Sequence, residues 1–505
     1  MGLSGFRRAR SAMIVGGCMA ALSMSASAAT LTWGTSGTGG SGAWTTANAW
    51  YDGSAQATWN NATPDNGVFA GTAGTVTVTT ATAQNIQFST TGYTVSSGTL
   101  NIKGGVTVDS GTATVSSAIS GTGFTKSGVG TLRISNTNSS FTGTTSVTSG
   151  TLAWTSTGRN SFARGSRAYD IPAGSTLRLD AGGTINFGSS STGTTTLTGG
   201  GVFNVALGTT FTSDNATSGN VVMSLGSGAQ IVVDGVLGSS QIWNTGTQNR
   251  GYTYYANNKA DLVINAGGRF TAQYSNALAT PSQDIIVNAL LGSGTFDKSQ
   301  PDPANVKVGI DNGSGVFSGN FINNTNQLTF IKLGTGTQTL SGTGPGMTFQ
   351  AQAGGLIITG TMGSGGLTTV SPGAVFGGTG LLSGSLTFAS GSSMFLFNPA
   401  APLTVGSGVT FGDASTFGVA NLAGLTNSVA DGTYTLISGS VTTTGLANFG
   451  PANAYDLGGG KQAYFNAVPG SQFQLIVVPE PSAAFLVGLA IAAIVRCSRR
   501  SAAGS

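Results

Sequence analysis

The sequence predicts an all-β protein built as a parallel stack of short coils, a β-solenoid. Three observations predict this class: a composition rich in strand and turn formers, short alternating runs separated by Gly, and an internal repeat. Of the 505 residues, 82 are Gly and 71 are Thr, whereas charged residues make up only 7%. Thr, Ser, Val and Gly favour strands and tight turns over helices.

The strands are predicted from short runs that alternate between apolar and polar residues. Such runs recur throughout 30–478, for example at 75–79. A period of two residues is typical of half-buried strands. Dipeptides such as Ser149-Gly150 separate them, and Gly readily takes the positive φ of a tight corner. Stacked coils would align aliphatic side chains inside and hydroxyls outside, and low charge avoids repulsion along such ladders.

The repeat is predicted from two segments that match each other without a gap. Residues 124–135 read FTKSGVGTLRIS and residues 330–341 read FIKLGTGTQTLS. Each leads to a second Gly-anchored strand, at 149–154 and at 354–358. Internal similarity of this kind indicates stacked units that cannot bury their apolar face alone.

These units resemble the autotransporter-associated β-strand repeat, whose pattern is K-x-G-x-G-T-x-x-L-S followed by a Gly-Thr-Leu strand. The first copy has Ile134 before Ser135, and the second has 346–349 in place of the usual aromatic-Thr-Gly segment. The resemblance implies a right-handed parallel β-helix, with about 20 coils at roughly 20 to 25 residues each. An antiparallel β-sandwich array is the alternative, because Gly-rich corners also suit hairpins.

The N-terminus has the three parts of a secretory signal peptide. Arginines within 7–10 precede a mostly apolar run that ends at the small-residue triplet 26–28. We therefore expect a signal helix, export through the secretion translocon, and cleavage by signal peptidase between Ala28 and Ala29. A lipoprotein site at Cys18 and twin-arginine export are weaker interpretations.

The C-terminus combines a short motif, an apolar segment and an arginine cluster. The motif is Pro479, Glu480 and Pro481, the apolar segment is 483–495, and the cluster is Arg496, Arg499 and Arg500. A single transmembrane helix over 483–495 would span about 20 Å of a hydrocarbon core of roughly 30 Å, which is short for a permanent anchor. Its arginines would stay cytoplasmic. An ordinary single-span tail anchor is the alternative.

These three parts resemble the PEP-CTERM sorting signal of Gram-negative bacteria. The resemblance implies transient anchoring in the inner membrane and processing by an exosortase-type enzyme. It also implies a final location in the cell envelope, on the outer surface or outside the cell, in bacteria that usually make exopolysaccharide.

Missing residue types exclude several chemistries. The chain has no His, Glu480 is its only Glu, and Cys18 and Cys497 are its only cysteines. A Ser-His-Asp triad, a Cys-His pair and any His-containing zinc site are excluded, and no cofactor or metal is expected. Six of the 20 basic and one of the 16 acidic residues lie in the end segments, leaving 14 and 15. No nucleic-acid-binding face is indicated.

Two aromatic clusters are candidates for recognition. The first holds four of the six tryptophans: Trp33, Trp44, Trp50 and Trp59. Exposed indoles could stack on sugar rings, but we expect a hydrophobic lid on the first coil, which a solenoid needs. The second cluster, in an expected loop excursion, comprises Trp243, Tyr252, Tyr254 and Tyr255, and there surface recognition is a hypothesis.

One set of charged residues is the nearest match to the machinery of polysaccharide lyases on β-helices. It comprises Asp297, Asp302 and Asp311 with Lys298 and Lys307. The carboxylates lack i, i+2 spacing, so we expect a solvated loop rather than a calcium site. A groove gathering two Asp with an Arg or Lys would favour an enzyme.

We therefore expect four regions: a signal peptide at 1–28, a Trp-rich cap with the first coils at 29–120, the repeat-bearing solenoid at 121–475, and the sorting signal at 476–505. The expected function is that of an exported structural or adhesive surface protein, not an enzyme, associated with exopolysaccharide. A polysaccharide lyase or hydrolase that uses Asp, Arg and Lys is the alternative.

Overall fold

The computed structural model describes residues 28–158, 166–187, 193–213, 220–238, 253–255, 257–272, 284–298, 304–323, 328–363, 366–391 and 393–480. Within these ranges the chain consists of strands and turns, with single-turn 3-10 helices at Thr35–Gly37, Ala414–Thr416, Val419–Asn421 and Pro451–Asn453. None of the helices in these ranges has the length and apolar character needed to span a bilayer. The predicted signal helix up to residue 27 and the predicted segment 483–495 lie outside the described residues, as do Pro481, Arg496, Arg499 and Arg500.

The strands form three parallel ladders, to which each coil contributes in turn. The first ladder has two runs of strands. The strands of its first run are Thr30–Trp33, Asn66–Phe69, Asn85–Phe88, Gly105–Val108, Thr125–Ser127, Gly143–Val147, Arg167–Asp170, Thr194–Gly199, Asn220–Leu225 and Thr253–Tyr254. The strands of its second run are Ile285–Val287, Ala304–Val308, Leu328–Lys332, Thr348–Ala351, Leu367–Val370, Ser385–Phe388 and Val409–Phe411.

Within the described residues, the second ladder is continuous over 17 strands. They are Gly42–Ala43, Thr75–Thr77, Thr94–Ser96, Thr112–Val115, Thr131–Ile134, Gly150–Trp154, Ser175–Leu179, Val202–Val205, Gln230–Val233, Asp261–Ile264, Leu290–Gly292, Gly315–Phe317, Thr337–Leu340, Gly354–Ile358, Ala374–Gly378, Met394–Leu396 and Leu422–Ala423. The body therefore has fewer coils than the roughly 20 expected from the repeat length. The difference arises because part of the described chain forms the antiparallel caps at the two ends of the solenoid and because long sequence stretches separate some consecutive strands.

The third ladder also has two runs. The first consists of Thr80–Ala83, Thr99–Ile102 and Ala118–Ser120. The second consists of Thr184–Phe187, Thr210–Ser213, Val236–Gly238, Arg269–Thr271, Thr295–Asp297, Asn320–Ile322, Thr343–Gly344, Thr361–Met362, Leu381–Leu382, Leu403–Val405 and Gly432–Ser438. The structure is thus an all-β solenoid of the right-handed type, and the antiparallel-sandwich alternative is wrong. Strand pairing is continuous across residue 120, since Gly105–Val108 pairs in parallel with Thr125–Ser127.

In-register stacking places like residues above one another. On the second ladder, Leu132, Leu152 and Leu177 lie in one inward column and are fully buried. The neighbouring outward column stacks threonines: Thr112, Thr131, Thr151 and Thr176. The aliphatic columns form the core, whose burial stabilises the fold, and the hydroxyl columns face solvent.

The N-terminal end is covered by a small antiparallel cap. Thr30–Trp33 pairs with Trp50–Tyr51, which pairs with Gln56–Ala57. All four clustered tryptophans are buried, and the Trp50 ring centroid lies 5.0 Å from that of Trp44 and 4.6 Å from that of Trp59. The predicted lid is therefore confirmed, and the sugar-stacking interpretation is wrong because the indole faces are inaccessible.

The C-terminal end is covered by a larger meander. Gly432–Ser438 pairs antiparallel with Gln472–Pro479, which pairs with Lys461–Val468 and then with Tyr455–Gly458. Phenylalanines fill the space beneath it: Phe388, Phe411, Phe417, Phe465 and Phe473. Both ends of the core are thus closed by aromatic side chains.

Candidate functional site

The two repeat copies place a buried lysine at the same corner of the coil. Lys126 is the penultimate residue of its first-ladder strand, and Lys332 is the last residue of its strand. Neither side chain is exposed to solvent. The Lys126 Nζ donates to the carbonyl oxygens of Ser127 at 2.8 Å, Gly128 at 2.8 Å and Ser149 at 3.1 Å. The last of these belongs to the next coil, so the ammonium ties two coils together.

The second copy repeats this geometry. The Lys332 Nζ donates to the carbonyl oxygens of Leu333, Gly334 and Ala353, and Ala353 occupies the place of Ser149. Burial lowers the pKa of both lysines to about 8. The ammonium groups are therefore structural, because the three N–H donors of each one are used by backbone carbonyl oxygens.

Close backbone contact explains the glycines of the repeat. Gly128 has φ +77°, and a Cβ added there would lie 2.2 Å from the Val108 carbonyl oxygen. The equivalent Gly334 has φ +61°, and its Cβ would lie 2.1 Å from the Gly309 carbonyl oxygen. Only Gly fits such a corner, so the K-x-G-x-G pattern follows from the way coils stack.

The charged residues proposed for a lyase site do not come together. Asp297 is buried on the third ladder, where it accepts a hydrogen bond from the Arg269 Nε at 3.0 Å. Lys307 lies on the first ladder and pairs with Asp284. Asp311 lies at the corner between the first and second ladders.

At that corner, Asp311 pairs with the Lys259 Nζ at 3.7 Å and accepts a hydrogen bond from the Ser227 hydroxyl. Lys298 is buried beside Asp297, and Asp302 lies outside the described residues. Within the described ranges, no three Cys, Asp or Glu side chains are close enough to hold a metal ion.

The tyrosine cluster also differs from the hypothesis. Tyr255 is only 2% exposed, and its ring meets Phe270 with centroids 6.1 Å apart. Tyr254 lies in a first-ladder strand rather than in a loop excursion. Tyr252 and Trp243 lie outside the described residues. The described part of this cluster belongs to the solenoid, because the chain re-enters the first ladder at Thr253.

Part of each terminal signal lies next to a strand. Ala28 and Ala29 immediately precede the first strand, Thr30–Trp33. Pro479 ends the last strand, and the Glu480 N–H donates to the Gly460 carbonyl oxygen at 2.8 Å. A hydrogen bond with Asp456 and the negative charge of that residue raise the pKa of Glu480.

A polar groove on the first ladder is the candidate contact site. One outward column there contains Asn66, Asn85, Gly105, Thr125 and Ser146 in register. Because Gly105 has no side chain, the column is interrupted, and an open groove of about 600 Å³ lies over it. Its walls come from four consecutive coils, from Asn85 to Thr144.

The groove offers hydrogen-bonding groups and one positive charge. The Thr107 and Ser127 hydroxyls bond to each other at 2.8 Å along one wall. The Asn85 Oδ1 accepts from the Gly105 N–H at 2.8 Å. The exposed residues Thr122, Thr125 and Thr144 also line the groove and add further hydroxyls.

The positive charge belongs to Lys103, an exposed lysine at the edge of the groove. It forms no ion pair with any residue of the described ranges. Phe124 also lines the groove but is only 4% exposed, so no aromatic ring is available for stacking. This site could not be found from the sequence, because the feature that marks it is a single Gly in a column whose other members carry side chains.

Comparison with known proteins identifies a repeat family and one similar protein. The family called passenger-associated-transport-repeat matches residues 124–153. The chain is 38% identical over 160 residues to the adhesin BmaC autotransporter of Brucella suis biovar 1 (strain 1330), which is 30% of this chain. The match spans only 4% of the length of that relative. No solved structure matches the chain.

These comparisons confirm the predicted repeat at its first copy, because Lys126, Gly128 and Gly150 fall inside the matched residues. The matched range also contains part of the lining of the polar groove: Phe124, Thr125, Ser127 and Thr144. The PEP-CTERM resemblance receives no support from the comparisons and stays a prediction.

Proposed function

We propose that this chain is an exported, surface-exposed adhesive protein, not an enzyme, and that its solenoid contacts exopolysaccharide. The observation that carries the proposal is the passenger-type repeat at 124–153, together with 38% identity to a protein named as an adhesin. A solenoid suits adhesion because its stacked coils present the same hydroxyl groups at regular spacing, and many weak contacts then add up.

The polar groove at Gly105 is the proposed contact with polysaccharide. Sugars are rich in hydroxyls, which pair with the Thr, Ser and Asn side chains that line it. Neighbouring coils lie about 4.8 Å apart, so an extended sugar chain along the axis would meet a new set of hydroxyls at every coil. The unpaired Lys103 ammonium would favour an acidic sugar, such as a uronate unit.

Binding of purified protein to polygalacturonate, with neutral dextran as comparison, tests this contact. Lys103→Ala should weaken binding to polygalacturonate about tenfold, the loss of one charge-assisted hydrogen bond. The matched control is Lys259→Ala, since Lys259 is another surface lysine that lies away from the groove. Equal binding by both variants would reject the groove as the contact.

The proposed route to the surface uses both end signals. The chain would pass the translocon, lose residues 1–28 to signal peptidase, and be held in the inner membrane by 483–495. An exosortase-type enzyme would then act near Pro479, Glu480 and Pro481. The ordered strand Gln472–Pro479 ends at this motif, so processing there would leave the cap paired.

Fractionation of cells expressing the full chain tests this route. Replacing Arg496, Arg499 and Arg500 together by Ala should leave unprocessed protein in the inner membrane and abolish surface labelling. Mass spectrometry of the wild-type protein should show loss of both ends. A surface protein that still ends at Ser505 would contradict sorting by processing, but it would leave the adhesive proposal unaffected.

Enzymatic activity is not proposed, because the two candidate carboxylates in the described ranges, Asp297 and Asp311, are held in separate ion pairs. Incubation with polygalacturonate, followed by ultraviolet absorbance for unsaturated products, checks this. Release of such products would replace the adhesive proposal by a lyase.

A further inference from the structure

Asp65 is a buried carboxylate next to the start of the first strand. Its side chain is only 8% exposed, and it immediately precedes the strand Asn66–Phe69. The Oδ1 atom accepts a hydrogen bond from the Ala29 backbone nitrogen at 3.1 Å. The Oδ2 atom accepts a longer one from the Asn60 backbone nitrogen at 3.4 Å.

No Lys or Arg of the described ranges pairs with this carboxylate. A buried carboxylate needs compensation, since removing its charge from water is strongly unfavourable. Two backbone N–H groups supply only part of it, and one of them is long. Within the described ranges the carboxylate therefore lacks a compensating positive charge, and the nearer of its two donors is the Ala29 nitrogen.

That nitrogen is the atom that cleavage before Ala29 would change. Hydrolysis adds water across the peptide bond, so Ala28 leaves with a carboxylate and the Ala29 nitrogen becomes an amine. Near neutral pH that amine is largely protonated, since an α-amino group has a pKa of about 7.7–8.0. An amide donor with one hydrogen is thus replaced by an ammonium with three.

We infer that Asp65 is the acceptor for the mature N-terminus, and that processing between Ala28 and Ala29 creates an ion pair between the new α-ammonium and this carboxylate. The inference rests on the predicted signal-peptide cleavage and is independent of adhesion. The backbone already holds the geometry, because the Asn66 N–H donates to the Ala29 carbonyl oxygen at 2.7 Å.

The ion pair would strengthen the N-terminal cap. Thr30–Trp33 pairs with Asn66–Phe69 on one side and with Trp50–Tyr51 on the other. Pinning Ala29 to Asp65 fixes the first residue before this strand, which carries Trp33 of the lid. The precursor lacks the charge pair, so the cap of the mature protein should be the more stable of the two.

The test uses the protein that starts at Ala29, released from a removable N-terminal fusion, with its α-amine either free or acetylated. Each form is prepared with Asp65 and with Asp65→Asn, and thermal unfolding of the Trp-rich cap is followed by fluorescence at pH 6. We expect acetylation to lower the unfolding temperature when Asp65 is present and to have no effect in Asp65→Asn. Equal unfolding of free and acetylated protein with Asp65 present would overturn the inference, and this comparison needs no variant to fold.

Titration of the α-amine gives a second readout. An ion pair should make this group about a tenfold weaker acid than in Asp65→Asn, measured by the pH dependence of its chemical labelling. With the folded pKa raised, the added stability is present below about pH 8 and disappears as pH rises through the folded value. An N-terminus other than Ala29 in protein isolated from cells would overturn the premise of processing, whereas a correct N-terminus without coupling would overturn the role of Asp65.

Discussion

Replacing Lys126 by Met tests whether the buried ammonium holds the corner of the repeat. The substitution keeps an unbranched chain of similar length but removes the donor to the carbonyl oxygens of Ser127, Gly128 and Ser149. Met leaves three carbonyl oxygens without this donor, which costs about 1–3 kcal/mol for each acceptor left unsatisfied. Met also removes the net cost of holding the ammonium rather than the neutral amine, which is about 3 kcal/mol for a fall of the pKa from 10.5 to about 8.

The unsatisfied carbonyl oxygens outweigh the removal of that cost, and we expect Lys126→Met to destabilise the protein by about 2 kcal/mol. Urea unfolding followed by circular dichroism measures the effect. Lys332→Met should behave alike at the second copy, and Lys103→Met is the exposed control. If Lys126→Met and Lys103→Met unfold at the same urea concentration, hydrogen bonds from Lys126 to the backbone do not stabilise the corner.

Three further predictions concern pH, backbone contact and the lid. Because burial lowers the pKa of Lys126 and Lys332 to about 8, the unfolded chain binds more protons than the folded protein above that pH. Stability in urea should therefore rise between pH 7 and 9.5, by about 2 kcal/mol per lysine, and a flat or falling profile would contradict this. Gly128→Ala should destabilise more than Gly267→Ala, since both have positive φ but an added Cβ at Gly267 meets nothing within 4 Å; equal unfolding midpoints would reject steric contact as the cause. Trp50→Ala should cost about 3–5 kcal/mol through the cavity it leaves, which calorimetry would detect as early melting of the N-terminal cap, and an unchanged profile would mean that the lid does not stabilise the first coil.

The sequence was sufficient to predict what local patterns encode. Alternating runs and the matched segments around Lys126 and Lys332 predicted the stacked coils, and clustered tryptophans predicted the N-terminal lid. The C-terminal cap was not predicted, because its phenylalanines are spread from Phe388 to Phe473 and meet only after folding.

Other features depend on three-dimensional contacts that no local pattern shows. A Lys inside a core contradicts the usual exposure of this residue type, so the role of Lys126 becomes visible only with its carbonyl partners. The groove depends on Gly105 lying between Asn85 and Thr125 in neighbouring coils, and register cannot be read from one coil. The sequence predicts a loop excursion around Tyr255, because no local pattern marks the point at which the chain returns to the first ladder.

The closure of both ends has a consequence for self-association. A bare terminal coil would offer its unpaired backbone groups to another copy, and molecules could then add end to end into a fibre. Here antiparallel strands and packed indoles occupy one end and the meander up to Pro479 occupies the other. End-to-end addition through the capped coils is therefore disfavoured, and within the described residues the ladder of 17 strands spans roughly 80 Å at about 4.8 Å per strand.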